Sequence, residues 1–270
     1  MIAFPQENMK RDNWCHISAL FARDTNKAVI FRRGPSEWTQ QILWDTKTDT
    51  FDYGQWIKGG LKVDKCDLSP SGTYLMYFAQ KYNASDPAYT TFTAISKPPT
   101  FTAITLWPLG DSWHGGGLFI TDTQIALDHP ADKREADPRH PNTLFTLVEP
   151  AKMSWVEEQR MLRDGWKVLQ TDKDTQIMEY DALEHGYKLI RKSNYPACSD
   201  NRQCRDKYTF SLMDTKTGNK QPLDNVSWAD FDQRGRLILA LYGALLAADL
   251  AEKPLQLHIL VDLNSQKAPQ

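Results

Sequence analysis

The feature that most constrains the fold is a recurring unit of a short apolar segment, a polar turn and a second apolar segment. The turns of five such units fall near Asn26, Gly72, Thr123, Asp174 and Gly235. Successive turns are separated by roughly 46 to 61 residues, a spacing typical of repeat architectures. Because apolar runs bounded by turn residues are typical of paired strands, the pattern predicts a series of small antiparallel sheets.

A second repeated element follows the first, an apolar strand that ends in a turn rich in Asp, Thr, Asn and Gly. Segments 40–51 and 208–220 share the tetrapeptide Asp-Thr-Lys-Thr, and segment 257–267 has the same shape. Asp and Asn bond their own backbone in such turns, which explains the composition. Together the two elements predict a four-stranded meander, and five of these fill the chain at about 15–57, 62–109, 114–149, 166–224 and 226–270.

The five predicted sheets must pack on one another, because each alone would leave an apolar face in water. Radial packing leaves only short, protected sheet edges. With 41% hydrophobic residues and nine tryptophans, the chain can cover broad sheet faces with large side chains. We therefore expect residues 1–270 to form a single all-β domain, a five-bladed β-propeller with one short inserted helix.

Three segments interrupt the repeat. A capping box with Ser154 as N-cap and Glu157 at N3 predicts a helix that ends before Gly165. Segments 80–99 and 129–141 are rich in polar residues and proline, and we expect both to be long loops.

The apolar segment 237–250 is open to two interpretations. Its length and its Leu and Ala content allow a buried helix. A hairpin that turns at Tyr242 and Gly243 is favoured, because it continues the repeat in register after the turn at Gly235.

One segment carries a family resemblance. Residues 66–78 contain the sequence Ser-Pro-Ser-Gly before an apolar strand, and they resemble the strand–turn–strand of TolB-like and WD40-like propeller repeats. Residues 229–241 are similar but lack the Ser-Pro pair, and Trp44-Asp45 is a single instance of the WD40 Trp-Asp pair. The resemblance implies a propeller fold and a tendency to bind large partners, but it implies no reaction.

Charge and hydropathy argue against two classes of partner, nucleic acids and membranes. The net charge is −2, so the overall basic bias of nucleic-acid-binding proteins is absent. The longest uncharged apolar run, 237–248, is shorter than the about 20 residues that cross a bilayer. Residues 1–14 lack the apolar core of a signal peptide. We expect a soluble, cytoplasmic protein that binds neither nucleic acid nor membrane, with Cys198 and Cys204 as thiols unless the chain is exported.

Two carboxylates are candidates for catalysis. Asp67 and Asp230 each lie five residues before a turn glycine, at positions that can face the central channel of a propeller. A pair of carboxylates can act as acid and as nucleophile or base in glycoside hydrolysis. The competing interpretation is a structural hydrogen-bonding role near the end of a strand.

Other chemical patterns are weaker. His129, Asp137 and His140 could bind a metal, but their spacing matches no compact site and Lys133, Arg134 and Arg139 lie among them. The His-Gly-Gly-Gly segment 114–117 is similar to an esterase oxyanion loop, but the chain contains no Gly-x-Ser-x-Gly nucleophile motif. No Walker loop or dinucleotide fingerprint is present, so no cofactor is expected.

Exposed aromatic residues are the remaining candidates. Trp56 and Trp113 lie near glycines and turns, where an indole can anchor a partner, and His114 follows Trp113 directly. Packing between blades is the alternative for both tryptophans, and Trp44, Trp107 and Trp166 are expected in the core. The sequence favours a non-catalytic protein-binding module, such as an inhibitor, an immunity-type protein or an assembly factor. A hydrolase that uses Asp67 and Asp230 is the alternative.

Overall fold

The strands form five small sheets, each built from strands that are close in sequence. The computed structural model describes residues 14–34, 37–81, 84–149, 156–182, 185–194, 208–252 and 254–269. The arrangement is that of a five-bladed β-propeller, and α1 (Val156–Arg163) is the single α-helix within these ranges. The all-β fold class expected from the repeat is confirmed.

Two compact units make up the chain. The first comprises Met1–Ser18 with Met161–Gln266, and the second comprises Ala19–Arg160 with Lys267–Gln270. The expectation that residues 1–270 form a single domain stays a prediction.

Sheets 1 and 2 lie in the second unit, apart from the first residues of β1. Sheet 1 has the order β1-β2-β3-β4. In sheet 2, β5 and β6 both pair with β7, and β8 and β9 follow. The strands are β1 (His16–Phe21), β2 (Lys27–Arg33), β3 (Trp38–Asp45), β4 (Thr50–Lys58), β5 (Gly60–Leu61), β6 (Asp67–Leu68), β7 (Leu75–Gln80), β8 (Thr91–Ser96) and β9 (Thr105–Pro108).

Strand β8 lies inside the segment expected to be a long loop, so that expectation is wrong. The segment Thr91–Ser96 reads Thr-Phe-Thr-Ala-Ile-Ser, and it pairs over its whole length with β7. Such a run has high β propensity. The polar and proline-containing residues just before it obscured the signal.

Sheet 3, also in the second unit, is the smallest. It consists of β10 (Gly117–Phe119), β11 (Gln124–Leu127) and β12 (Thr146–Leu147). Strand β12 runs parallel to β11, which differs from the expected four-stranded meander. The chain between these two strands includes the segment 129–141, which contains no strand and one 3-10 turn, Ala131–Lys133.

Sheets 4 and 5 lie in the first unit. Sheet 4 has five strands and sheet 5 has four, each in sequential antiparallel order. The strands are β13 (Lys167–Thr171), β14 (Thr175–Ala182), β15 (Tyr187–Asn194), β16 (Tyr208–Asp214), β17 (Lys220–Pro222), β18 (Val226–Phe231), β19 (Leu237–Leu241), β20 (Ala244–Ala248) and β21 (His258–Asp262).

The apolar segment 237–250 forms a hairpin, as favoured from the sequence. Strands β19 and β20 pair in register around a two-residue turn of Tyr242 and Gly243. Both turn residues have positive φ, 49° and 77°, as a type I′ turn requires. The side chains of both strands are buried, which explains why the segment lacks the alternating pattern of a half-exposed strand.

Helix α1 ends in the manner expected from its sequence. The amide of Trp166 donates to the carbonyl of Met161 at 2.9 Å, and the amide of Gly165 donates to the carbonyl of Leu162 at 3.3 Å. These two bonds form a Schellman motif with Gly165 at C′. The predicted N-cap, Ser154, lies outside the described residues, and so do Cys198 and Cys204.

Apolar side chains fill the space between neighbouring sheets within each unit. Trp44, Trp107 and Trp166 are at most 3% exposed, which confirms the prediction that they belong to the core. Three clusters contain most of the buried side chains. One joins sheets 4 and 5 (Met178, Leu189, Leu212, Leu239, Leu246), the next joins sheets 1 and 2 (Val29, Phe31, Leu75, Tyr77), and the third joins sheets 2 and 3 (Met76, Trp107, Phe119, Ile125).

Candidate partner-binding surface

The most exposed large hydrophobic side chain of the described residues is Trp113, at 87%. It lies in the segment 111–116, which connects β9 to β10 in the second unit and is called the Trp113 loop below. An indole has a large apolar area, and leaving it in water forgoes a substantial part of the free energy of burial. A side chain so placed requires an explanation from the residues that hold it.

The backbone of the Trp113 loop is held by one lysine. The ammonium of Lys65 donates to the carbonyl oxygens of Ser112 at 3.2 Å, of Trp113 at 2.8 Å and of His114 at 2.6 Å. The same ammonium lies 4.9 Å from the centre of the Phe78 ring. Three consecutive carbonyls are therefore fixed by one charged group.

Asp111 holds the same loop from its N-terminal side. One carboxylate oxygen accepts from the amides of Trp113 at 3.0 Å and His114 at 3.1 Å. The imidazole of His114 lies 3.4 Å from this oxygen, and the ammonium of Lys133 lies 3.6 Å from the other. Partial burial acts to raise the pKa of Asp111, but the two amide hydrogen bonds, together with the nearby side chains of His114 and Lys133, outweigh it and lower the pKa.

The two glycines after His114 hydrogen-bond the C-terminal end of the Trp113 loop to residues outside it. The amide of Gly115 donates to the carbonyl of Asp128 at 2.7 Å, and the amide of Gly116 donates to the hydroxyl of Thr93 at 2.7 Å. Both amides therefore serve the fold. They are not oriented towards solvent as an oxyanion hole would require.

His129 is buried, and it is connected to the Trp113 loop through Thr93, whose hydroxyl also bonds the amide of Gly116. Its Nε2 lies 2.8 Å from the Thr93 hydroxyl and its Nδ1 lies 3.0 Å from the carbonyl of Lys133. A carbonyl can only accept, so the proton is on Nδ1 and Nε2 accepts from Thr93. Burial lowers the pKa of His129 to about 4, so the ring is neutral at neutral pH.

Asp137 and His140 have different surroundings from His129. The Asp137 carboxylate accepts from the Arg139 guanidinium at 2.9 and 3.1 Å and from the Tyr89 hydroxyl at 2.5 Å. These bonds, from Arg139 first and then Tyr89, lower the pKa of Asp137 well below its usual range. The backbone of His140 bonds to Asp137 and Leu106.

The metal hypothesis gains no support from this geometry. Both ring nitrogens of His129 and both carboxylate oxygens of Asp137 have protein partners. Within the described ranges, no group of three or more His, Cys, Asp or Glu side chains could hold a metal ion.

The two catalytic candidates belong to different units. Asp67, in the second unit, is 1% exposed, and its carboxylate accepts from the amide of Phe119 in sheet 3 at 2.7 Å. Asp230, in the first unit, is half-buried and accepts from the amide of Phe231 at 2.8 Å. Burial raises the pKa of Tyr180, and the charge of Asp230 adds to this rise. One partner of Asp67 is thus a backbone amide of the fold.

Trp56 has a different environment from Trp113. It lies in β4 and is half-buried, and the buried guanidinium of Arg32 lies 5.2 Å from the centre of its ring. Most of the Trp56 side chain is therefore already covered by the fold. Of the three residues predicted to contact a partner, Trp113 and His114 share one loop, whereas Trp56 lies on a strand of sheet 1.

Sequence reasoning missed Lys65, the residue that fixes the loop. It lies in the 3-10 turn Val63–Lys65, 47 to 49 residues before the carbonyls that it binds. A lysine that binds backbone carbonyls needs no particular residue type as its partner. No sequence signal could have identified it.

Comparison with known proteins shows distant structural likeness only. No protein family model matches the chain, and no curated protein matches it. Among solved structures, Kuenenia stuttgartiensis hydrazine synthase is 9% identical, covering 92% of this chain and 80% of that one, with a TM-score of 0.32. The propeller domain of the trilobed protease from Pyrococcus furiosus is 8% identical, covering 87% and 82%, with a TM-score of 0.32.

A peptidase gives a similar result over a smaller part of its length. The acylaminoacyl peptidase of Pyrococcus horikoshii is 12% identical, with a TM-score of 0.32 over 92% of this chain and 45% of that one. This chain thus spans less than half of that protein. At these values the likeness carries no conclusion about activity. Separately, the helix among the described residues is not long and apolar enough to cross a membrane.

Proposed function

We propose that this chain is a non-catalytic binding module that engages a protein partner through the Trp113 loop. The observation that carries the proposal is the combination of an indole that is 87% exposed with a backbone that is fixed at consecutive carbonyls and amides. Tryptophan is enriched among the residues that dominate binding energy at protein interfaces.

The fixed backbone supports a binding role on thermodynamic grounds. Ordering a mobile loop on binding costs free energy that subtracts from affinity. In the Trp113 loop this cost is met during folding, because Lys65 and Asp111 already hold the backbone. An indole on such a loop can contribute most of its burial to binding.

The test is quantitative affinity capture by the full chain and by Trp113→Ala from a lysate of the source organism. We expect one or more proteins whose recovery falls at least about tenfold with the variant, as for a central interface tryptophan. Tyr53→Ala is the matched control, because Tyr53 is another exposed aromatic of the second unit, at 45%. Equal recovery by the wild type, Trp113→Ala and Tyr53→Ala would overturn the proposal.

We further propose that the protein is cytoplasmic and acts as an inhibitor, an immunity-type protein or an assembly factor, roles that would all use such a surface. The Ser-Pro-Ser-Gly turn after β6 supports a divergent relation to TolB-like and WD40-like repeats. Related sequences that retain this turn in more than two of the five segments would strengthen that relation.

A further inference from the structure

Resting on the proposed function, we infer that Lys65 is the positioning residue of the Trp113 loop and that it holds the indole for insertion into an uncharged, apolar cavity of a protein partner. The inference concerns the chemistry of the partner and the residue that prepares the loop for it. Two observations carry it, the hydrogen bonds of the lysine and the charge balance of the surface.

The hydrogen bonds of Lys65 use the whole capacity of its ammonium. A lysine ammonium has three donors, and Lys65 bonds three consecutive carbonyls at 2.6 to 3.2 Å. Hydrogen bonds from a charged donor are stronger than those between neutral groups. The charge therefore points into the loop backbone, and burial lowers the pKa of Lys65 as expected for a partly desolvated ammonium.

The charged groups that act on Lys65 and Asp111, the two residues that hold the loop, balance in number. Lys62, Lys65 and Lys133 carry positive charges, and Asp64, Asp111 and Asp128 carry negative ones. Asp111 is further engaged by two amides of its own loop. A partner with a strongly charged surface would find no excess of opposite charge here, whereas a neutral apolar cavity would gain the full burial of the Trp113 indole.

The positioning role is tested by hydrogen exchange on the full-length chain. The variant Lys65→Met keeps an unbranched apolar side chain but removes the three hydrogen-bond donors of the ammonium. We expect the amides of residues 113–116 to exchange about tenfold faster or more, because each charged hydrogen bond is worth at least that factor. Lys65→Arg should restore part of the protection, since its guanidinium can still donate to carbonyls.

Two controls separate positioning from general stability. Trp113→Ala should leave this exchange unchanged, because Lys65 binds the carbonyl of residue 113 and not its side chain. Amides of β19 and β20, in the first unit, should keep their protection in Lys65→Met. Unchanged exchange at residues 113–116 in Lys65→Met would overturn the role of Lys65. Uniformly faster exchange across the chain would overturn it as well.

The chemistry of the partner is tested by salt in the same capture from lysate. Between about 50 mM and about 500 mM NaCl, exposed charge pairs are progressively screened, whereas apolar contacts are not. We expect the recovery that depends on Trp113 to change less than about twofold. A fall of tenfold, or Trp113-dependent capture of a protein-free oligosaccharide, would overturn the apolar protein cavity.

The inference and the proposed function fail in different ways. If Trp113→Ala captures as much as the wild type, the proposed function fails, and with it the partner chemistry. If Trp113→Ala loses the partner but Lys65→Met keeps both slow exchange and full capture, only the inference about Lys65 fails.

Discussion

Two copies of the same strand–turn–strand segment, residues 67–78 in the second unit and 230–241 in the first, reach the same shape through different contacts. In both, an Asp lies five residues before a turn glycine of positive φ, Gly72 at 70° and Gly235 at 73°. In both, that Asp pairs across the strands with an apolar residue.

The turn of the second unit is bonded to the turns of neighbouring sheets. The carbonyl of Ser71 accepts from the Thr25 hydroxyl at 3.0 Å, and the carbonyl of Pro70 accepts from the amide of Asp24 at 2.9 Å. On the other side, the amide of Ser71 donates to the carboxylate of Asp122 at 3.0 Å. Three consecutive sheets are thereby linked through their turns.

The turn of the first unit relies on one of its own carboxylates. Asp232 accepts from the amides of Arg234 at 3.0 Å and Arg236 at 2.9 Å, and from the Arg236 guanidinium at 2.8 Å. Its side chain is fully buried. Ser-Pro-Ser-Gly and Asp-Gln-Arg-Gly therefore specify the same turn. The former adds bonds to neighbouring turns to its own bond between Ser69 and the Tyr74 amide, whereas the latter contains an internal ion pair.

The largest expected difference in the free energy of unfolding is between variants of Asp232 and variants of Ser69, which occupies the same position in the other turn. Asp232→Ala removes the buried acceptor of the Arg234 and Arg236 amides and one hydrogen-bonded ion-pair partner of the Arg236 guanidinium, so we expect a loss of about 3 kcal/mol in the free energy of unfolding. Ser69→Ala removes the 3.1 Å hydrogen bond from the amide of Tyr74 and should cost about 1 kcal/mol. Urea denaturation of both variants measures the difference, and equal losses would break the comparison.

The two turn glycines should also respond differently to substitution. An alanine at position 72 would press its Cβ against Lys27 Cβ at 2.9 Å and Ala22 Cβ at 3.2 Å, whereas at position 235 its nearest neighbour among the described residues is the end of the His185 ring, at 3.0 Å. Both variants bear the cost of a side chain at positive φ, about 1 kcal/mol. We expect Gly72→Ala to cost roughly twice as much as Gly235→Ala, measured by thermal unfolding.

The paired carboxylates Asp67 and Asp230 give a smaller contrast. Asp67→Ala removes the buried acceptor of the Phe119 amide and should destabilise by about 2 kcal/mol. Asp230 is half-buried, and Asp230→Ala should cost less than about 1 kcal/mol. Asp67→Asn, which keeps an acceptor oxygen, serves as the control and should recover much of the loss. A greater loss for Asp230→Ala would reverse the comparison.

The smallest loss of stability is expected at Asp122, which links the turn of sheet 3 to the turn of sheet 2. Asp122→Ala removes the acceptor of the Ser71 amide, at a partly exposed site, and should cost at most about 1 kcal/mol. Hydrogen exchange at Ser71 should accelerate in this variant, and Asp122→Asn should preserve the protection. No change at Ser71 would show that the link between sheets 2 and 3 contributes nothing there.

The number of sheets and several turns could be predicted because they depend on local signals. Asp45 and Asp214 each accept from the amides of the Lys and the second Thr in their Asp-Thr-Lys-Thr turns, at 2.9 to 3.1 Å, which is why this tetrapeptide marks both positions. The turn at Tyr242 and Gly243 could be located because it continued the repeat.

The candidate site was predicted less completely, because its contacts are distant in sequence. The exposure of Trp113 could be suspected from the glycines that follow it. The roles of Lys65, of Asp67 towards Phe119 and of His129 towards Thr93 involve residues 36 to 52 positions apart, and two of the three involve backbone atoms. Residue types alone carry no information about such pairs.

The bonds of Lys65 have a consequence for how this loop can vary. Lys65 binds the main-chain oxygens of residues 112 to 114. These hydrogen bonds therefore constrain the length of the loop, but they do not depend on which side chains it carries. Substitution at position 113 would change the exposed side chain and leave these hydrogen bonds intact, whereas insertion of one residue would displace carbonyls from the Lys65 ammonium. The loop therefore has a fixed length, and engineered variants can carry other side chains at position 113.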